Sequence, residues 1–228
     1  MRDTYRLTRS ADDWFKPVNK LWERDRKSAT MSLWDRCNYQ QGIIGQSAES
    51  GYLVLYNAAG SNIASCVLDT TALPPVNNTK PQGFILDHTA YWYRGSLEEA
   101  HFVSALLNAP CVDLAIKIYQ TRGLFGARHI HRRPFEVCGI PEYDANNSDH
   151  QQLAALSQAA HVAVATLDLS VGGVVAARKQ ARTKAQPQIA AIDAIAQRLL
   201  GLTPAPTIIV AAEDDADEGD VGDEELPE

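Results

Sequence analysis

The pattern of apolar and polar positions divides the chain into a strand-rich first half and a helical second half. Residues 52–57 and 63–68 are rich in β-branched and aromatic side chains and flank a turn, which predicts a hairpin. Residues 83–93 predict two further short strands. From Ser96 onward, apolar residues recur at the three- and four-residue spacing of helices. The sequence therefore predicts an α+β fold in which a small N-terminal sheet region precedes a mainly helical half.

Two consecutive helices are predicted between residues 96 and 120. Ser96 is expected to cap the first, with Glu99 as its capping-box partner. Pro110 suits the first turn of the second helix, where a missing N–H costs nothing. An apolar stripe that ends at Ile118 runs along this second helix, which is expected to end at Gln120.

The pattern after residue 134 predicts one strand and then more helices. Residues 135–140 predict the strand, and Ser148 or Asp149 is expected to cap a long helix. The glycine pair at 172–173 predicts a bend or break, because glycine is unfavourable inside a helix. A further interruption is expected at Pro187, and Gly201 is expected to end the helical region.

The first 41 residues are predicted to be a helical arm. Its main helix, at 12–27, is amphipathic and is expected to be interrupted near its proline. Trp34 is expected in the core, whereas Trp14 and Trp22 are candidates for an interface with another protein.

The charge of the chain is distributed unevenly. The 228 residues carry a net charge of −7, yet residues 213–228 contain ten acids and no base. Without those ten, 18 acids face 21 basic residues, which gives a net charge of +3. Residues 202–228 are therefore predicted to form a disordered acidic tail, and the mildly basic remainder is compatible with nucleic-acid binding.

The most basic stretch lies between residues 117 and 133, which contain five Lys/Arg, two His and no acid. Arginines without acidic neighbours can bind phosphates and reach base edges, although a solvated basic loop has the same composition. Asn57 ends the first predicted strand, beside a turn whose chemistry is enough to explain an asparagine there. A later helix also lacks acids beside its basic residues Arg178, Lys179, Arg182 and Lys184.

Several classes of function lack their sequence signals. No apolar run reaches the length of a transmembrane helix, the first residues lack a signal-peptide core, and a cytoplasmic protein is expected. The four cysteines form no C-x-x-C pair, which argues against a structural zinc site. His129 and His131 are two residues apart, so in an extended segment they face the same side and could bind a metal ion together. The surrounding arginines would repel such a cation.

Three segments together resemble a known family. They read A-H-F-V-S-A-L-L-N-A-P at 100–110, Q-T-R-G-L-F-G-A-R-H-I-H-R-R-P at 120–134 and I-P-E-Y-D-A-N-N-S-D-H-Q-Q-L-A-A-L at 140–156. Their order and spacing resemble the C-terminal target recognition domain, of the Taq-like specificity type, of adenine-N6 DNA methyltransferases in restriction-modification systems. The resemblance covers roughly residues 33–200, with Ala109 where the family commonly has serine.

The resemblance implies that residues 42–201 form a DNA-recognition domain. It implies two partners, namely double-stranded DNA and a methyltransferase or restriction catalytic subunit or domain, which would bind S-adenosylmethionine. This chain is expected to bind no cofactor and to have no enzyme activity alone, because its one Pro-Pro pair lies in L-P-P-V rather than in an adenine-binding loop. The candidate DNA contacts are Lys117, Gln120, Arg122, Arg128, His129, His131, Arg132, Arg133 and Asn57.

Two other functions fit the same residues. The first is a small nuclease or DNA-modifying enzyme that uses His129 and His131. The second is a structural assembly subunit that does not contact DNA.

Overall fold

The computed structural model describes residues 9–27, 29–38, 43, 45–46, 50–75, 85–86, 90–120, 129–168 and 173–203. They belong to two compact units, one formed by the described residues up to 46 together with 85–86, and the other by the remainder. The predicted acidic tail, apart from its first two residues, lies outside the described residues.

The first unit contains helix α1, Arg9–Asp25, and helix α2, Leu33–Cys37. The predicted interruption of α1 at Pro17 is wrong, because Pro17 lies on the exposed side and the carbonyl that it leaves unpaired can bond water. Trp34 stacks on Phe15 at 4.3 Å between ring centroids. It is still 42% exposed, so its predicted place in the core is also wrong.

The second unit begins with a three-stranded antiparallel sheet in the order β2-β1-β3. Strand β1 is Tyr52–Asn57, β2 is Ser65–Asp69 and β3 is Ala90–Gly95. The predicted hairpin is confirmed, with Val54 of β1 opposite Val67 of β2. The second strand starts two residues later than predicted, because the Ile63 N–H donates to the Asp113 carboxylate at 2.8 Å instead of to a strand.

Helix α3, Leu97–Leu107, is the centre of the core and packs against the sheet, helix α6 (Ser148–Ala165) and helix α7 (Gly173–Leu200). Because it is covered on several sides, every residue from 100 to 107 is buried. The predicted capping box of Ser96 and Glu99 is confirmed. The unit is therefore an α+β structure with a small sheet on one side of a helical core.

Helix α4, Pro110–Ile116, follows α3 and continues as a 3₁₀ helix, Lys117–Tyr119. Pro110 occupies its first turn as predicted. No side chain of its own caps this helix, and Asp193 of α7 accepts the Cys111 N–H at 2.7 Å instead. This contact ties the start of α4 to the last helix and satisfies one of the unpaired donors of a helix start.

Residues 133–138 form a helix, α5, where a strand was predicted. Pro134 needs no N–H partner in the first turn, and Gly139 adopts the left-handed φ of +60° that ends the helix. Pro134 and Cys138, one turn apart, supply the buried face. The strand prediction followed the alternation of Phe135 and Val137, but this segment is too short to distinguish the period of a strand from that of a helix.

The last two helices are longer than the rest. Helix α6 begins at Ser148, and its N-cap is Asn147 instead of the predicted Ser148 or Asp149, because the Asn147 side chain accepts the N–H groups of Asp149 and His150. Helix α7 runs without a break through Pro187. The predicted interruption there is wrong, because Pro187 is exposed and the opposite face, with Ile192 and Ile195, is buried in the core. Gly201 ends α7 with a φ of +62°, as predicted.

No single helix in the described ranges is long and apolar enough to cross a membrane. Helix α3 and the segment Pro110–Tyr119 reach that length and apolar composition only when they are taken together, and the chain bends by 60° between them.

Candidate nucleic-acid interface

Three segments that are distant in sequence meet at the turn between β1 and β2. The Ala58 carbonyl accepts hydrogen bonds from the N–H groups of Ile130 at 2.9 Å and His131 at 3.2 Å. Ala59 forms a β-bridge with His129, and Lys117, just past the end of α4, donates to the Ser61 carbonyl. We call residues 57–62, 117–120 and 129–133 the turn surface. It contains seven of the nine candidate DNA contacts, and it brings Asn57 to the six that lie between residues 117 and 133.

Asn57 closes the turn on which this surface is built. Its Nδ2 donates to the carbonyls of Ala59 at 2.8 Å and Asn62 at 3.0 Å, and its Oδ1 accepts from the Ala64 N–H at 2.9 Å. The side chain is thus engaged in turn chemistry, which was the alternative interpretation of this residue.

Lys117 also holds the turn. Its Nζ lies 2.9 Å from Asp113 Oδ2 and 3.2 Å from Asn62 Oδ1, in addition to its bond to Ser61. An ammonium group has three donors, so these partners occupy all of them. The sequence prediction of Lys117 as a DNA contact did not take Asp113 into account, because this acid lies one helical turn before the basic stretch.

The segment 129–131 is fixed by a buried residue between two histidines. Ile130 is fully buried, and the His129 and His131 rings lie on the outside with centroids 4.9 Å apart. His131 is the one non-glycine residue with a positive φ, +46°, in the described part of the chain, which is a strained conformation that often marks functional sites. Desolvation lowers the pKa of His131, and His129 and Arg133 lower it further.

Arg132 and Arg133 are the exposed cations of the turn surface. Arg132 is the N-cap residue of α5, and Arg133 pairs with Glu136 at 3.4 Å. The sequence argument that these arginines lack a local acid is therefore wrong for Arg133. Exposed pairs of this kind contribute only about 0–1 kcal/mol, so Arg133 can exchange Glu136 for an external anion.

The other candidates lie at or beyond the described boundary. The Gln120 N–H donates to the Lys117 carbonyl at 3.3 Å. Its side-chain amide is buried, and neither amide atom has a hydrogen-bond partner within the described ranges. Arg122 and Arg128 lie outside the described residues.

Sequence reasoning missed two apolar residues on this surface. Ile118 is 83% exposed and Tyr119 is 48% exposed, although Ile118 was assigned to the buried stripe of α4. The stripe requires α-helical spacing, but the chain changes to a 3₁₀ helix at Lys117 and turns Ile118 outward.

A second basic surface lies along α7. An open, mainly apolar groove of about 550 Å³ is lined by Leu167, Ala176, Lys179, Gln180, Thr183, Lys184 and Pro187. Two of the four basic residues noted in this helix thus border an apolar groove.

Comparisons with protein-family models, curated proteins and solved structures find no match to this chain. Within the described residues, no group of three or more His, Cys, Asp or Glu side chains is placed to hold a metal ion.

Proposed function

We propose that this chain is the DNA sequence-recognition module of an adenine-N6 DNA methyltransferase or restriction-modification system, and that it is not catalytic by itself. The observation that carries the proposal is the meeting of three segments at the turn surface, with Arg132 and Arg133 exposed on it. Arginine suits this role because its planar fork binds guanine or phosphate with two parallel hydrogen bonds.

In this proposal the residues of the turn surface have two roles. Arg132 and Arg133 contact DNA directly, and His129 and His131 offer ring nitrogens to base edges or phosphates. Asn57 and Lys117 hold the backbone in place, since their polar atoms already bond to the turn and to Asp113. Recognition needs such a rigid support, because base edges are distinguished by hydrogen-bond geometry.

The proposal assigns two partners to the chain, in the cytoplasm. The first is double-stranded DNA. The second is a methyltransferase or restriction catalytic subunit or domain, which would supply the S-adenosylmethionine site and the pocket for the flipped adenine. The support for this second partner is the resemblance of residues 100–110, 120–134 and 140–156 to target recognition domains.

The test is selection of bound duplexes from a random-sequence pool by the full chain, followed by sequencing. A recognition module should enrich one sequence pattern. Replacing Arg132 or Arg133 with alanine should relax the preference at one position if that arginine reads a base, and should weaken all sequences alike if it contacts phosphate. Failure of the parent chain to enrich any pattern, alone or with its catalytic partner, would refute the proposal.

A further inference from the structure

Ile118 is the more exposed of two adjacent apolar residues on the turn surface. It is 83% exposed and is followed by Tyr119 at 48%. Single exposed apolar residues are common and need no explanation by themselves. These two differ because they are adjacent and lie on the surface that carries the exposed arginines.

The backbone that carries Ile118 is anchored on both sides. Ile116 is fully buried in the core, and the Lys117 ammonium bonds to Asp113, Ser61 and Asn62. The Gln120 N–H closes the turn on the Lys117 carbonyl at 3.3 Å. An apolar side chain held on such a short turn loses little conformational freedom when it inserts into a partner, which favours binding.

Charge indicates the kind of partner that covers these residues. Between 117 and 133 the chain has five Lys/Arg and no acid, and Arg132 and Arg133 are exposed. An apolar residue on a surface that also carries exposed cations matches duplex DNA, in which apolar base faces lie between rows of phosphates. Proteins that bend DNA insert isoleucine and similar side chains between base pairs in this manner.

Building on the proposed function, we infer that Ile118 is a wedge that inserts between stacked base pairs of duplex DNA, with Tyr119 packed against the opened step. Insertion separates two base pairs and kinks the duplex. The chain would therefore respond to how easily a step unstacks, in addition to the bases that its arginines contact.

The experiment compares binding of the full chain to a short intact duplex and to the same duplex with a small central bulge. The bulge removes part of the unstacking cost, which is a few kcal/mol per step, so the parent should bind the bulged duplex about tenfold more tightly. Ile118→Ser should reduce that preference to about twofold or less, because the small polar side chain cannot fill the opened step. Ile118→Leu should keep the preference, because it keeps the apolar volume.

Val162→Ser is the matched control, since Val162 is also an exposed apolar residue, at 70%, but lies on α6. Thermal melts of each variant establish that it is folded. An unchanged bulge preference in folded Ile118→Ser would overturn the wedge while leaving DNA recognition intact. Absence of binding to either duplex would overturn both. Binding of anionic phospholipid vesicles that depends on Ile118, without an effect on DNA, would assign the residue to a membrane instead.

Discussion

At the scale of single residues, the candidate interface separates side chains that hold the backbone from side chains that remain exposed. Asn57 and Lys117 look like DNA ligands in the sequence, because an amide and an ammonium are common DNA contacts. In the structure both bond to the turn between β1 and β2. The sequence could not show this, because the decisive partner of Lys117, the Ser61 carbonyl, lies 56 residues away.

Lys117 provides a test of this division. We expect Lys117→Ala to lower the free energy of unfolding by about 1–2 kcal/mol, because it leaves Asp113 and the turn oxygens without their donor. Arg132→Ala should leave stability unchanged, since Arg132 is exposed. Urea denaturation followed by circular dichroism measures both. A Lys117→Ala variant that is as stable as the parent but defective in DNA binding would show that Lys117 is a contact after all.

At the scale of elements, the sequence predicted the hairpin, helix α3, the start of helix α4 and the presence of helix α6. These elements have strong local signals, such as the capping box of Ser96 and the position of Pro110. It failed at residues 135–140 and at two prolines within helices. In those places tertiary burial decides which secondary structure forms. A helix with one buried face tolerates a proline on its exposed face, and six residues are too few to show whether apolar positions follow a helical or a strand period.

Pro187 shows how much that tolerance costs. Proline inside a helix removes one backbone hydrogen bond and crowds the preceding turn. We therefore expect Pro187→Ala to stabilise the protein by about 1–3 kcal/mol, below the full penalty of a buried interior site. Pro110→Ala is the control, because the first turn of a helix has no bond to regain. Differential scanning calorimetry would record a higher Tm for Pro187→Ala alone, and an unchanged Tm would show that α7 already adapts to the proline.

Two histidines join α3, α6 and β2, and the buried His101 makes this packing sensitive to acid. His161 Nε2 accepts the Val67 N–H at 2.9 Å, so its proton is on Nδ1, which donates to the Ser157 carbonyl at 2.8 Å. His101 bonds to Ser157 Oγ at 3.1 Å and lies edge-on to His161. Burial, with a smaller contribution from His161, lowers the pKa of His101 from 6.5 to about 4, and Glu98 acts in the opposite direction.

A histidine whose pKa is lower in the folded state takes up its proton more readily when unfolded. The stability that depends on a neutral His101 is therefore complete above pH 6.5 and is lost as the pH falls toward about 4. We expect His101→Gln to lose about 2–3 kcal/mol less free energy of unfolding than the parent over that pH range. Urea denaturation across the same pH range tests it, with exposed His129→Gln as the control. If the free energy of unfolding changed with pH in the same way for the parent and for His101→Gln, His101 would not be the source of the acid sensitivity.

At the scale of the whole molecule, the sign of the net charge differs from the sign of the charge at the candidate interface. The chain carries −7 overall, but the ten acids of residues 213–228 account for that sign. We expect removal of residues 205–228 to leave the Tm nearly unchanged and to strengthen non-specific DNA binding, because the remaining chain has a net charge of about +3. Melting curves and DNA titrations of the truncated chain measure both effects. Unfolding on truncation would show that the C-terminal residues belong to the fold.

The account depends most on the claim that the turn surface contacts DNA through Arg132 and Arg133. The direct measurement is the salt dependence of duplex binding by the parent, by each single alanine variant and by Arg198→Ala. Arg198 is a suitable control because it is an exposed arginine that pairs with Asp149 on the α6–α7 side. We predict that at least one of the two turn-surface variants lowers the magnitude of the slope of log K against log salt by about 1, as the loss of a phosphate contact does, whereas Arg198→Ala leaves it unchanged. Equal slopes for all four proteins, with the variants folded, would contradict the account.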